Sequence, residues 1–452
     1  MEIEKLKKSN TKRYIIIGSI VVLILAGITL TFTKAKYKTT TSIPLVNGTI
    51  NYDLSDLNLI GVYIQEGEEY VKTDTIPTSG YEFNSEESYC TVNNERDDTI
   101  TLSFDMTTQN LTVTPLTKKG TKCYLYFDEK DICEGLTASE CILAYEGGAE
   151  AIEAKGTPDF SQTATTDEGM YAAEDDYGTS YYYRGAVNDN WFQFGTNSSG
   201  QPLYWRIVRI NGDGSVRLIY NGTSTATTGD STMINKGREF NIWNDNSAYV
   251  GYMYKSGEVH GLTTNSWIKT ELDKWYISNL SDEAKNLDGN AGFCGDRYPS
   301  TSSSSSNGSD YGAYIRLNTN KSPSFKCTDK DNDLYTTPGS SKGNGALKVD
   351  PNDEGSTPTP IGLITADEVA FAGGVYKTSN TSYYLYNNEY YWTMSPYGYY
   401  SGNGAFVFLV WSDGSLNSGR VDISHGVRPV INLKSAIAIT GEGSVDKPFK
   451  IQ

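Results

Sequence analysis

The chain has 452 residues, a formal charge of −17, 34 tyrosines and 44 glycines. Its length exceeds one ordinary domain and predicts two or three, and an aromatic content of 12% excludes wholesale disorder. The first 38 residues carry eight Lys/Arg and two Glu; removing that +6 leaves −23 for the remainder, a surface that repels phosphate backbones and argues against a nucleic-acid partner.

Residues 1–13 form a basic tail with Lys5, Lys7, Lys8, Lys12 and Arg13. The uncharged run Ile15–Phe32 follows, reaching roughly 27 Å as a helix, close to the thickness of a bilayer's hydrocarbon core. This predicts a transmembrane anchor over 14–33. The positive flank stays in the cytoplasm, so the bulk of the chain faces outside. The run is longer than a secretory h-region and no clean A-x-A follows it, which favours an uncleaved anchor in the cytoplasmic membrane. A polar tether (34–42) comes next.

From 43 to 130 the sequence alternates. Ile100, Leu102, Phe104 and Met106 interleave with Thr101, Ser103 and Asp105. Leu111 and Val113 repeat the pattern, as do Cys123, Leu125 and Phe127. Period two means one buried and one wet face, so this stretch predicts a small all-β sandwich. Its pattern, without a diagnostic motif, is similar to immunoglobulin-like stalk modules. Residues 131–178 lose the alternation and read as a linker with a short helix near Cys133–Ala154.

A denser region spans 179–452. Trp205–Ile210 and Val216–Tyr220 flank Asn211-Gly212-Asp213-Gly214, a hairpin signal. Trp267–Leu280 has helical spacing, with Ile268, Leu272, Trp275 and Tyr276 on one side. Thr365-x-x-Glu368 is a capping box, and Gly373-Gly374 ends that helix. Ala405–Trp411 and Val427–Leu433 predict strands. Helices among many short strands indicate an α+β class.

Six cysteines in an exported chain indicate disulfides. Fifteen pairings are available; proximity suggests Cys90–Cys123, Cys133–Cys141 and Cys294–Cys327. Their spacing, without nearby His, argues against zinc.

The histidines are His260 and His425, and neither has a nucleophile elbow or Cys partner. Asp329, Asp331 and Asp333 make a D-x-D-x-D run, but Leu334 and Ser340 stand where an EF-hand needs Gly and Glu. Trp243-Asn244-Asp245 matches the letters of a calcium-dependent sugar site, yet lies early and lacks the preceding E-P-N or Q-P-D. No cofactor or metal is implied, calcium being the one ion left to test, and the chain does not read as an enzyme.

Nine tyrosines fall between Tyr376 and Tyr400, with Ser, Gly and Asn filling most gaps. Paratopes share this composition: Tyr offers large amphipathic area with few torsions to freeze, and small polar residues adapt their hydrogen bonds. Tyr383, Tyr384, Tyr386 and Trp392 read as core. Tyr397, Tyr399, Tyr400, Asn403, Phe406, Phe408, Trp411, Asp413 and Asn417 are the candidate ligand-binding residues.

The closing segment runs Tyr390-Tyr391-Trp392-Thr393-Met394-Ser395-Pro396, then Gly426-Val427-Arg428-Pro429-Val430-Ile431-Asn432-Leu433, then Thr440-Gly441-Glu442-Gly443 and Pro448-Phe449. It resembles the C-terminal core of bacterial surface proteins with a C-type-lectin-like fold, shared with formylglycine-generating-enzyme-like domains and the variable proteins of diversity-generating retroelements. The resemblance implies a rigid frame, here Trp392, Gly404, Gly426, Arg428 and Pro429, carrying a variable binding face for a surface glycan or protein. Those oxidases need cysteines near the C-terminus, whereas the last one here is Cys327. The expectation is a membrane-anchored binding protein; the alternatives are a structural envelope protein assembling through the same region and, last, an extracellular enzyme of the formylglycine-generating type.

Overall fold

The computed structural model describes residues 57–452 apart from 68, 79, 116–119, 131, 301–307 and 341–342. The expected basic tail, anchor and tether, and the start of the β-sandwich, lie outside these residues. No helix among the described residues is long and apolar enough to cross a membrane. The chain divides into two units, Met1–Lys130 and Asp131–Gln452.

In the first unit the period-two pattern becomes seven strands: β1 (Leu57–Glu66), β2 (Glu69–Thr73), β3 (Tyr81–Val92), β4 (Glu95–Arg96), β5 (Thr101–Asp105), β6 (Asn110–Thr114) and β7 (Thr121–Glu129). Five form one sheet in the order β2-β1-β7-β3-β4, while β5 and β6 make a separate hairpin. Alternate residues of β7, including Cys123, Leu125 and Phe127, are fully buried. The hairpin packs on them: the rings of Phe104 and Phe127 meet edge-on, 5.3 Å apart, and Leu102, Leu111 and Val113 complete the core. Cys90 and Cys123 are register partners on β3 and β7 and form a disulfide across 33 residues of sequence. Replacing both with alanine should lower this unit's stability by about 3–4 kcal/mol, the loop-closure entropy restored to the unfolded chain. A lower denaturant midpoint, with a slope no shallower than the parent's because the unfolded chain is freed to expand, would show it.

The second unit contains the other two disulfides, Cys133–Cys141 and Cys294–Cys327. All three fit an extracellular protein.

Residues 131–178, expected as a linker, belong instead to this unit. Helix α1 (Ala138–Tyr145) starts at a capping box of Thr137 and Glu140, and α2 (Ala149–Glu153) follows. Cys133, Ala138, Cys141, Ile142 and Ile152 are fully buried in the main core. Strand β8 (Asp167–Glu174) pairs with β9 (Thr179–Gly185). The Gly/Thr/Asp-rich composition hid this because the apolar positions are sparse and the buried helix residues pack into a core assembled from the rest of the unit.

A half-buried carboxylate, Glu146, lies in this segment. Burial, then neighbouring Asp189, pushes Glu146 up to about 7; Tyr183 and Lys155 oppose the shift, and Asp167 adds to it. A carboxyl raised on folding contributes stability fully below its unfolded pKa and loses it as pH rises through about 7. Glu146→Gln should therefore raise the melting temperature at alkaline pH relative to the parent and change it little near pH 4; melts across that range test this.

Strands β10 (Trp191–Thr196), β11 (Pro202–Ile210) and β12 (Val216–Tyr220) continue the sheet, with β11 and β12 forming the hairpin read from sequence. Beyond β13 (Asn235–Glu239), helix α3 (Trp267–Asn279) is capped by Ser266 and buries Ile268, Leu272 and Tyr276. Helix α4 (Ala366–Phe371) begins at the Thr365/Glu368 capping box and is buried throughout. A second sheet is built from β14 (Gly308–Asp310), β15 (Tyr391–Tyr400), β16 (Gly404–Val410), β17 (Leu416–Arg420) and β18 (Ser424–Val427), with β13 at its edge; β19 (Val430–Leu433), β20 (Ile439–Thr440) and β21 (Phe449–Ile451) return to the first. The first sheet runs β19-β12-β11-β10-β21-β20 with β9 on β11; the second runs β13-β18-β15-β16-β17 with β14 on β15. The unit is thus mixed and mostly strand.

The single strand expected over Val427–Leu433 is two strands in different sheets, broken at Arg428-Pro429. Proline has no N–H for a ladder, and the break lets Arg428 turn inward. Its fully buried guanidinium donates to the carbonyls of Tyr220 and Leu385 and to Asn221 Oδ1 at 3.2, 2.9 and 2.8 Å. Arg428 braces strands and offers nothing to solvent.

Candidate functional site

The second sheet gathers the Tyr-rich segment. In the β15–β16 register Gly398 faces Phe406, Tyr399 faces Ala405 and Tyr400 faces Gly404. Alternation then puts Tyr400, Phe406 and Phe408 on one side, and a bulge beside Pro396 brings Tyr397 to them. Tyr397 packs edge-on against Phe408 at 5.1 Å and Tyr314 at 4.8 Å; Tyr400 meets Phe406 at 5.9 Å. Tyr376 joins from outside the sheet, its hydroxyl 2.8 Å from that of Tyr397. Tyr400 donates to Asp310 on β14. Lys377 lies 5.1 Å over the ring of Tyr376, and the exposed Arg420 is the register partner of Phe406.

Tyr397, Tyr400 and Phe406 are half-buried, so each ring is fixed on one side and open on the other. Burial pushes the Tyr397 and Tyr400 hydroxyls upward, helped by the hydrogen bonds to Tyr376 and Asp310 respectively. Both remain neutral hydrogen-bonding groups at ordinary pH. The result is an aromatic face with fixed hydroxyls, a cation at Lys377 and a carboxylate at Asp310.

The nine sequence candidates do not form one patch. Phe408 is fully buried beneath the rings of Tyr397 and Tyr376; it supports the face and, contrary to the sequence expectation, has no surface open to a ligand. Tyr399 points to the other side and donates to the carbonyl of Asp245 at 2.9 Å. Asn403 is exposed in the turn between β15 and β16, its N–H on the Tyr400 carbonyl. Trp411 lies 5.7 Å from Tyr390, which stacks on His425. Asp413 accepts from the Ser415 N–H and hydroxyl, and Asn417 accepts from the Ser418 N–H; both side chains shape backbone. Tyr383, Tyr384 and Trp392 are buried and Tyr386 is half-buried. Sequence reasoning missed Tyr314, Asp310, Lys377 and Arg420: they lie on separate segments, and only the pairing of β14 with β15 and of β16 with β17 assembles them.

Other candidates have structural roles. Burial lowers the His425 pKa, and the ring sits 4.9 Å from that of Trp392. Asp333 accepts from Arg297 Nε at 2.8 Å and lies 3.1 Å from His260 Nδ1; Asp329 caps a helical turn through the Asn332 N–H. No cluster of three His, Cys, Asp or Glu side chains able to hold a metal ion occurs among the described residues. A small charged cleft of about 30 Å³ is lined by Arg209, Arg217, Arg316, Asp175, Asp296 and Glu368, among others. Its charges answer one another: Glu368 pairs with Arg209 and Arg217 at 3.1 and 2.6 Å, Asp175 with Arg209 at 2.8 Å, Asp296 with Arg316 at 2.6 Å. The cleft is a buried ion network that ties α4 to the first sheet.

No protein-family model, curated protein or solved structure matches the chain, so the geometry above carries the functional reading.

Proposed function

We propose that the chain is a membrane-anchored extracellular binding protein, an adhesin whose second unit is a lectin-like head that recognises a glycan or protein non-covalently and without turnover. The observation that supports this most is the aromatic face of β15 and β16. Half-buried rings already hold their bound-state positions, so little side-chain entropy is lost on contact. Their outward surfaces give apolar area and their hydroxyls give direction, the combination that serves at binding hot spots. The three disulfides agree with display outside the cytoplasm.

Purified full-length chain presented to a panel of glycans and intact cell surfaces tests the reading. Saturable binding that free ligand competes away is the expected result. Failure to bind any surface, together with concentration-dependent self-association, would replace it with assembly in the envelope.

A further inference from the structure

The most exposed large apolar side chain among the described residues is Trp243, with 59% of its surface open to solvent. It does not sit on a loose loop. Two residues earlier, the Asn241 N–H bonds the Val421 carbonyl and its side chain donates to the Tyr249 carbonyl at 2.9 Å. The next residue, Asn244, is fixed at both ends: its carbonyl accepts from the Ala405 N–H and its side chain donates to Asp422 at 2.7 Å. Gly404 packs against Asn244 so closely that a Cβ there would lie 3.0 Å from its side chain. The Asp245 carbonyl receives the Tyr399 hydroxyl. The loop is therefore clamped onto the end of the β15–β16 hairpin, and it holds an indole in water.

An exposed Trp costs solvation, and every backbone neighbour of this one is ordered. We propose that Trp243 is the stacking platform of a saccharide subsite at this corner of the head, an assignment that deepens the adhesin reading and rests on it. Saccharide is favoured over protein by what surrounds the ring. Exposed polar residues nearby in the chain and across the hairpin turn include Asp245, Ser247, Ser401 and Asn403, with Arg420 held by Asp422 at 2.6 Å; Ile423, next to Asp422, is the one large apolar side chain exposed on that residue's turn. A protein anchor sits at the dry centre of an apolar patch. A pyranose has one face of C–H bonds, which stacks on an indole, and an edge of hydroxyls that need carboxylate, amide and hydroxyl partners.

The test is titration of full-length chain with soluble neutral, N-acetylated and acidic oligosaccharides, followed by calorimetry, alongside Trp243→Ala and Trp243→Phe. The parent should bind a member of the panel. Trp243→Ala should weaken it by about tenfold or more, a loss near 1.4 kcal/mol, and Trp243→Phe should recover part of it. Melting temperatures should stay unchanged, since the ring is mostly in water. Saccharide binding that Trp243→Ala leaves intact overturns this subsite but not the adhesin reading. Binding to cells or proteins with no saccharide of any class competing overturns the ligand class. Absence of all binding overturns the adhesin reading itself, and this subsite with it.

Discussion

Glu368→Ala is expected to destabilise the second unit by about 3–5 kcal/mol, the cost of leaving buried charge unpaired. Burial works against an ionised Glu368, but Arg217 and Arg209 outweigh it, aided by the Thr365 N–H, and hold the carboxyl below its ordinary range. The same side chain closes the capping box of α4 by accepting the Thr365 N–H at 2.9 Å. Removing it leaves buried Arg217 without a carboxylate and Arg209 with Asp175 alone, and opens the first turn of a buried helix. The sign of the pH dependence follows. A carboxyl depressed on folding contributes stability above its unfolded value, about 4.3, and loses it as pH falls through the lower folded value. Glu368→Gln should therefore cost most at neutral pH, and its deficit should shrink as the parent is acidified. Denaturant melts of both at pH 7 and pH 3.5 check this; a deficit that is flat with pH would mean that packing, rather than charge, holds α4.

The second large effect concerns binding. Tyr397→Ala with Tyr400→Ala should abolish detectable ligand binding, since hot-spot aromatics each contribute about 2 kcal/mol or more. Half-buried rings also pack, so this double variant will melt lower than the parent. Phe408→Ala separates the two effects. Phe408 is fully buried and its truncation should cost about 3–5 kcal/mol of stability, yet below its melting temperature it should still bind, because it only supports Tyr397. Equal loss of binding in Phe408→Ala and in the tyrosine variants, at equal folded fraction, would mean the face is core rather than site.

How far the sequence could be read depended on how local each feature is. The capping box at Thr365, the hairpin around Asn211-Gly212-Asp213-Gly214 and the helix at Trp267 are written within a few residues, and the structure has each in place. The alternation through Ile100 to Phe127 likewise specified its buried face, and the three cysteine pairs formed between nearest neighbours. What failed was non-local. Residues 131–178 looked like linker because their apolar positions are few and Ile142 draws its neighbours from elsewhere in the unit, although β8 forms a local hairpin with β9. The strand at Val427–Leu433 was read through Arg428-Pro429, although proline's missing N–H marked the break. Composition located the Tyr-rich segment but could not say which tyrosines face water, since a bulge at Pro396 resets the alternation. Trp243 carried no periodic signal at all: its exposure depends on a loop pinned by Asp422 and Ala405 from distant strands.

The proposed ligand site is the aromatic face of β15 and β16. The most direct measurement is the affinity of the full-length parent for its best glycan or cell-surface ligand, set beside that of Tyr397→Ala/Tyr400→Ala at matched folded fraction. Saturable binding by the parent is expected, with a loss of at least about a hundredfold in the variant, or roughly 2.7 kcal/mol. Equal affinities for the two proteins would contradict it.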